Sequence, residues 1–234
     1  MTISPAFLAG TVTAKAPPVP GDANWASVVS LLPLDGANDA TVFTDIKGHT
    51  WTVRGANVKL STAQKKWGTA SLLLPGADNG IRSSTVPVIG TNQFAVQGWF
   101  RSTSTSANYQ VIVGNYNASA GDWTLILTNN GRMEFYESTG NTDLYSTTGV
   151  DLRDSAWHYY SLTRDASNRV SMAVDGTEVA FATGVTSNMN YTGELGVGYN
   201  NFLDGFVGNL DDMRLTIGAS RAHTVPTRAF PTIG

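Results

Sequence analysis

The sequence predicts an all-β chain, a two-sheet antiparallel sandwich with jelly-roll connections, preceded by an extended Pro-rich N-terminal arm. Three observations carry that prediction. Apolar residues recur on alternate positions in short runs such as FAVQGWFR, WTLILT, RMEFYE and RVSMAV, the period of a strand with one buried face. Asn130-Gly131 separates WTLILT from RMEFYE, and Asp175-Gly176 separates RVSMAV from TEVAFA. Both pairs are hairpin signals, because the tightest turns need positive φ at their central residues. The third observation is 24 glycines in 234 residues with almost no stretch of helical period.

Residues 1–25 stand apart from the rest. Pro5, Pro17, Pro18, Pro20, Gly10 and Gly21 oppose regular structure and favour an extended, polyproline-like path. The segment reads as a docking arm, and 26–234 as a single sandwich domain, a size one all-β domain can fill. Residues 28–34 form a mostly apolar run suited to a buried strand. Short helical pieces are expected only around 62–66 and 219–223, and no repeat of 20–50 residues is present. The alternation selects as core Leu72, Leu74, Phe94, Val96, Phe100, Leu125, Leu127, Phe135, Leu162, Val170, Met172, Val174, Leu195, Val197, Leu210, Met213 and Leu215. Trp157, at the start of a central run, is expected in the core as well; the face of Trp99 depends on whether a bulge intervenes.

The last strong run, FLDGFVGNLDDMRLTIG, carries two adjacent aspartates. Strict alternation puts Asp211, Met213, Leu215 and Ile217 on one side and Asp212, Arg214 and Thr216 on the other. A carboxylate on the apolar side needs donors or a cation, and Asp212 is expected to be exposed beside Arg214. The run resembles the closing strand of laminin-G-like domains of the concanavalin-A-like lectin–glucanase superfamily. Four further segments carry the same resemblance in the family's order: ASLLLPGADN, FAVQGWFR, AWHYYSLTR and VSMAVDGTEV. The ending GASRAHTVPTRAFP resembles the tail of the family's bacteriophage virion-protein branch.

Composition narrows the partners. The net charge is −3 with no basic run, which argues against nucleic-acid binding by electrostatics. There is no cysteine, in keeping with folding in a reducing cytosol. The first 21 residues lack the basic and apolar regions of a signal peptide, and no apolar run has the length of a membrane span. Charged residues are only 14% of the chain, so the surface must be rich in Ser, Thr, Asn and Gly.

Catalytic signatures are weak. The E-x-D-x-x-E strand of sandwich glucanases is missing, and Glu134 and Glu137 have the odd spacing that sends their carboxylates to opposite faces. They read as solvent-facing or edge charges of a hairpin. There is no cysteine nucleophile and no Gly-x-Ser-x-Gly elbow, and His49, His158 and His223 lie in unrelated segments without zinc-site spacing. The resemblance implies a possible calcium ion between early Asp-rich loops and the closing strand, which maps onto Asp35, Asp45 and Asp211. Lys47 interrupts the early loop and could replace the cation's charge; compensation of Asp211 by protein donors is an equal alternative. For sugar binding, the loop NYQVIVGNYNASAGDW offers Tyr109, Asn115, Tyr116, Asn117, Asp122 and Trp123, and residues 188–201 offer a second polar–aromatic cluster.

Three functions follow as expectations. The first is a non-enzymatic bacteriophage virion protein, a capsid decoration or a tail- or baseplate-associated chain. Its arm would dock on other virion proteins in an oligomeric assembly, and its lectin-like sandwich would adhere to host-surface glycans. The second is a carbohydrate-binding lectin module not tied to a virion, and the third a glycan hydrolase of unrecognised type.

Overall fold

The computed structural model describes residues 21–104, 108–146, 151–201 and 205–234. Residues 1–20, most of the expected arm, lie outside the described residues. In chain order the strands are β1 (Val28–Leu32), β2 (Thr52–Arg54), β3 (Lys59–Ser61), β4 (Ser71–Ala77), β5 (Gly80–Ser83), β6 (Phe94–Ser102), β7 (Gln110–Gly114), β8 (Trp123–Leu127), β9 (Met133–Glu137), β10 (Thr142–Tyr145), β11 (His158–Arg164), β12 (Val170–Val174), β13 (Thr177–Ala182), β14 (Leu195–Val197) and β15 (Gly205–Ile217). One sheet has the order β13-β12-β11-β6-β15-β4-β3, with β1 also paired to β15; the other has the order β10-β9-β8-β7-β14-β5-β2. Among the described residues every strand pairing is antiparallel. The sandwich expected from the alternation is the one that forms.

All of the core residues selected by alternation lie in the apolar layer between the two sheets. Both hairpins form, by different turns. Asp175 and Gly176 both have positive φ (49° and 80°) in the two-residue turn between β12 and β13. Between β8 and β9 only Gly131 does (74°), and the Thr128 N–H bonds to the Arg132 carbonyl around a three-residue loop, the bulged alternative to the tightest turn. The helical pieces expected at 62–66 and 219–223 are absent; among the described residues a single 3-10 turn, Trp25–Ser27, is present. Both segments instead lie across the outside of the larger sheet as covering strips.

That covering builds a second apolar cluster on the outer face: Val28, Leu31, Trp99, Tyr159 and Phe230, with Trp25, Trp67 and Trp157 packed against it. Trp157 is therefore half-buried on the outside, contrary to its expected core position. Its parity follows from His158, which pairs with Phe100, so Trp157 lies just before the strand. Residues 21–25 of the arm segment also pack here. Asp22 is ion-paired with Arg214 at 2.8 Å and with Arg221 at 2.9 Å. Burial alone would raise the Asp22 pKa, but hydrogen bonds from Arg221 and the Asn24 N–H, with both guanidinium charges, hold it below the usual carboxylate value.

The closing strand departs from strict alternation. Asp211 pairs with Trp99 and Arg214 with Gln97, so three steps on β15 oppose two on β6. The extra residue makes a β-bulge, and Asp212 takes a φ of 46° within it. Leu210, Met213 and Leu215 thereby all face the inter-sheet core, while Asp211 turns outward to the tryptophan cluster. The expected grouping of Asp211 with Met213 and Leu215 is overturned, and so is the expected exposure of Asp212, which is 2% exposed. Its Oδ2 accepts the Phe230 N–H at 2.8 Å under the C-terminal tail.

Candidate functional site

The three carboxylates suggested for calcium are spent on separate tasks. Asp35 accepts the N–H and hydroxyl of Thr69 and the N–H of Ala70. Asp45, buried, accepts Ser30 Oγ at 2.6 Å, Lys47 N at 2.7 Å, Trp51 Nε1 at 3.0 Å and Leu31 N at 3.3 Å. Asp211 Oδ2 accepts Lys66 N at 2.7 Å and Trp67 N at 3.1 Å. The Lys47 ammonium goes to the Trp25 carbonyl and ring instead of to Asp45. Among the described residues no three acidic or histidine side chains converge, so these positions do not supply a shared ligand set of the kind calcium takes.

The six sugar-site candidates divide in two. Asn115, Asn117, Asp122 and Trp123 hold the β7–β8 loop together. Asn115 Oδ1 accepts Trp123 N and its Nδ2 donates to the Tyr191 carbonyl. Asp122 Oδ2 accepts the N–H groups of Asn117 and Ser119 at 2.8 Å each. Asn117 Nδ2 donates to Tyr191 OH, and Asn201 donates to Asn117 Oδ1. The Trp123 ring is in the inter-sheet core. These side chains spend most of their hydrogen-bonding atoms within the loop and on residues 191 and 201. The residues 188–201 expected as a second cluster serve as their partners.

Tyr109 and Tyr116 do face outward, and they meet residues that sequence reasoning missed. On the outer face of the smaller sheet, Tyr109, Tyr116, Thr124, Ile126, Glu134, Tyr136 and Asp143 line an open groove of about 260 Å³. Strand register places its members. Tyr136 lies between Thr124 on β8 and Asp143 on β10, and Glu134 lies between Ile126 and Tyr145. Tyr116 meets Tyr136 edge to face, with centroids 5.6 Å apart. Side chains at 134 and 136 share this face because Met133 and Phe135 take the other.

Among the residues lining this groove, Glu134 has a buried oxygen with unmet demand. The residue is 7% exposed, and its Oε2 has no hydrogen-bond partner. Burial, together with the negative charge of Asp143, raises its pKa to about 7, against hydrogen bonding from Tyr145. Tyr145 in turn has its hydroxyl pKa raised, by burial first and then by bonding to Asp143. Glu137 is a contrast. Fully buried, it accepts Gly140 N, Thr142 N and Ser187 Oγ, and these donors hold its pKa below normal in spite of burial. The expectation that both glutamates are exposed edge charges is thus corrected, although their opposite faces are as the spacing requires. The available signal was the acid–tyrosine alternation, Glu134/Tyr136 facing Asp143/Tyr145, on the polar side of adjacent strands.

The two-sheet antiparallel sandwich, with this groove on the outer face of its smaller sheet, defines the fold class. The chain belongs to the concanavalin A-like lectin/glucanases superfamily, whose Laminin_G_3 family matches residues 75–225. No match is found among curated proteins. Solved structures with the same fold include the binding domain of Paraclostridial Mosquitocidal Protein 1, at 11% identity and a TM-score of 0.65, covering 85% of this chain and 50% of that one. Domain 4 of AbnA, a GH43 extracellular arabinanase from Geobacillus stearothermophilus, in complex with arabinotriose, is similar at 15% identity and a TM-score of 0.62, covering 83% and 94%. The botulinum neurotoxin serotype D ligand binding domain in complex with N-acetylneuraminic acid is similar at 15% identity and a TM-score of 0.59, covering 85% and 49%. The chain thus spans about half the length of the toxin domains it matches.

Proposed function

We propose that the chain is a carbohydrate-binding module that holds a glycan in the groove between Tyr109, Tyr116, Tyr136 and the Glu134–Asp143 pair. The observation that carries this reading is the buried, unpartnered Glu134 oxygen set among tyrosine rings. Sugars present apolar ring faces that stack on aromatics and hydroxyls that donate to carboxylates, so the two features belong to one ligand chemistry. The sugar ligands named for the arabinanase domain and the neurotoxin domain support it on a shared fold. A glycan array with the wild type, Tyr136→Ala and Glu134→Gln tests it. Retention of specific glycans by the wild type and their loss from both variants is expected. Undiminished binding by both variants, each folded, would remove the groove from consideration.

A raised-pKa glutamate beside an aspartate is also the pairing from which a glycoside hydrolase draws its acid and its second carboxylate. Reducing ends released from a bound oligosaccharide by the wild type, and lost in Glu134→Gln, would convert the module into an enzyme. The proposed setting is a virion, supported by the C-terminal resemblance to phage proteins and the cysteine-free sequence, with residues 1–20 as the attachment to other virion proteins. Deleting residues 2–21 should leave the sandwich folded and prevent incorporation into particles.

A further inference from the structure

Beyond stacking and hydroxyl recognition, the groove has a charge character that narrows its ligand. Its lining holds two carboxylates and no Lys or Arg. Asp143 lies diagonal to Glu134 across the β9–β10 pair, since Tyr145 is opposite Glu134 and Asp143 opposite Tyr136. Diagonal cross-strand neighbours are within reach of long side chains. Glu134 is nine-tenths buried with one oxygen unbonded. Rings of Tyr109, Tyr116 and Tyr136 stand around the pair, and their faces attract cations. A buried carboxylate, with the exposed Asp143 carboxylate beside it, in a tyrosine-lined groove makes a receptor for an ammonium group.

We propose, resting on the carbohydrate reading above, that the preferred ligand is an amino sugar with a free, protonated amine. A neutral sugar can donate a hydroxyl to Glu134 but leaves the two like charges uncompensated. An acidic sugar adds a third negative charge, so the groove disfavours a ligand of the kind held by the neurotoxin domain. A protonated amine answers the carboxylate repulsion, the unbonded oxygen and the ring faces together. Burial first, and the neighbouring Asp143 charge second, raise the Glu134 pKa, and a bound ammonium would offset the second of these.

The test is calorimetric titration at about pH 7 of the full chain with a glucosamine trimer, its fully N-acetylated counterpart and tetramethylammonium. The free-amine trimer should bind about tenfold tighter than the acetylated one, a difference of about 1.4 kcal/mol. Glu134→Gln and Asp143→Asn should each weaken the free-amine trimer more than the acetylated one and so erase most of that difference. Melting temperatures confirm that both variants are folded. Equal affinity for the two trimers would overturn the amine preference and leave the sugar reading standing. Tetramethylammonium binding as tightly as the free-amine trimer would overturn it in favour of a quaternary ammonium ligand without a sugar. Failure of both trimers, with an array that retains no glycan, would defeat the carbohydrate reading itself.

Discussion

Asp211 allows a prediction whose sign is set by the bulge. Its carboxyl lies under the tryptophan cluster, 1% exposed, with Oδ2 bonded to two backbone N–H groups and Oδ1 unpartnered. Burial, opposed by the Trp67 and Lys66 N–H bonds, raises its pKa from 3.8 to about 8. A carboxyl whose folded pKa is raised binds its proton more tightly in the folded chain than in the unfolded one. Its contribution to stability is complete below about pH 4 and is lost as pH rises through 8. Between pH 5 and pH 8 the loss runs at about 1.4 kcal/mol per unit, or about 4 kcal/mol from this group. Asp211→Asn keeps an acceptor for Lys66 N and Trp67 N without the ionisation. It should match the wild type at pH 5 and exceed it by several kcal/mol at pH 9. Asp211→Ala strands both N–H donors and should cost about 1–3 kcal/mol at pH 5. Urea denaturation at pH 5, 7 and 9 reads all three chains. If Asp211→Asn and the wild type lose stability in parallel from pH 5 to 9, the buried carboxyl is not the cause and the reasoning fails.

Further outcomes follow from other buried groups. Asp22→Ala leaves Arg214 buried without its ion pair and should destabilise the domain by about 3–5 kcal/mol, measured by thermal or chemical unfolding. Hydrogen bonding to Asp175 raises the His158 pKa above 6.5, with burial opposing and Asp154 adding to it. Its contribution is therefore complete below about pH 6.5 and lost as pH climbs through the raised value, and His158→Gln should flatten that part of the stability profile. Trp99→Ala should cost about 3–5 kcal/mol as a large-to-small change in a closed cluster, and Trp157→Ala clearly less, because that ring is only partly buried. Since Asp35, Asp45 and Asp211 bond to separate protein donors, a chelator should leave the melting temperature unchanged; a fall of several degrees would reveal a bound ion.

The core was legible because alternation is a local property: Phe94, Val96 and Phe100, or Leu125 and Leu127, declare their face within one strand. Asp175-Gly176 and Asn130-Gly131 declared their hairpins for the same reason. The bulge at Asp212 was not legible, since nothing in Asn-Leu-Asp-Asp-Met-Arg marks an extra residue; only the partner strand, Trp99 to Gln97, counts it. That single step reversed the reading of Asp211 and buried Asp212. Segments 62–66 and 219–223 have short-range helical character, but tertiary packing across the outer face prevailed over it. The groove escaped notice because its residues come from β8, β9, β10 and the flanks of β7, and polar alternation on an outward face looks like ordinary solvation until the register of four strands is known. The loop candidates were conspicuous by their Asn and Asp content, which the turn itself consumes.

The position of β15 has a consequence for how the chain reaches its fold. It lies between β6 on one side and β4 and β1 on the other, and the Asp22–Arg214 pair closes a sequence separation of 192 residues. The larger sheet is therefore assembled around its last strand, a topology of long-range pairings that folds slowly. During synthesis at about 5–20 residues per second, β6 waits roughly 5–20 s for β15 to be made, with one edge and its apolar side chains uncovered. Chains interrupted before residue 205 leave three strands, β1, β4 and β6, without the partner that β15 supplies, each a template for another chain. Premature termination should thus yield aggregates instead of a smaller sandwich, and the nascent protein should depend on chaperone protection until its final strand inserts.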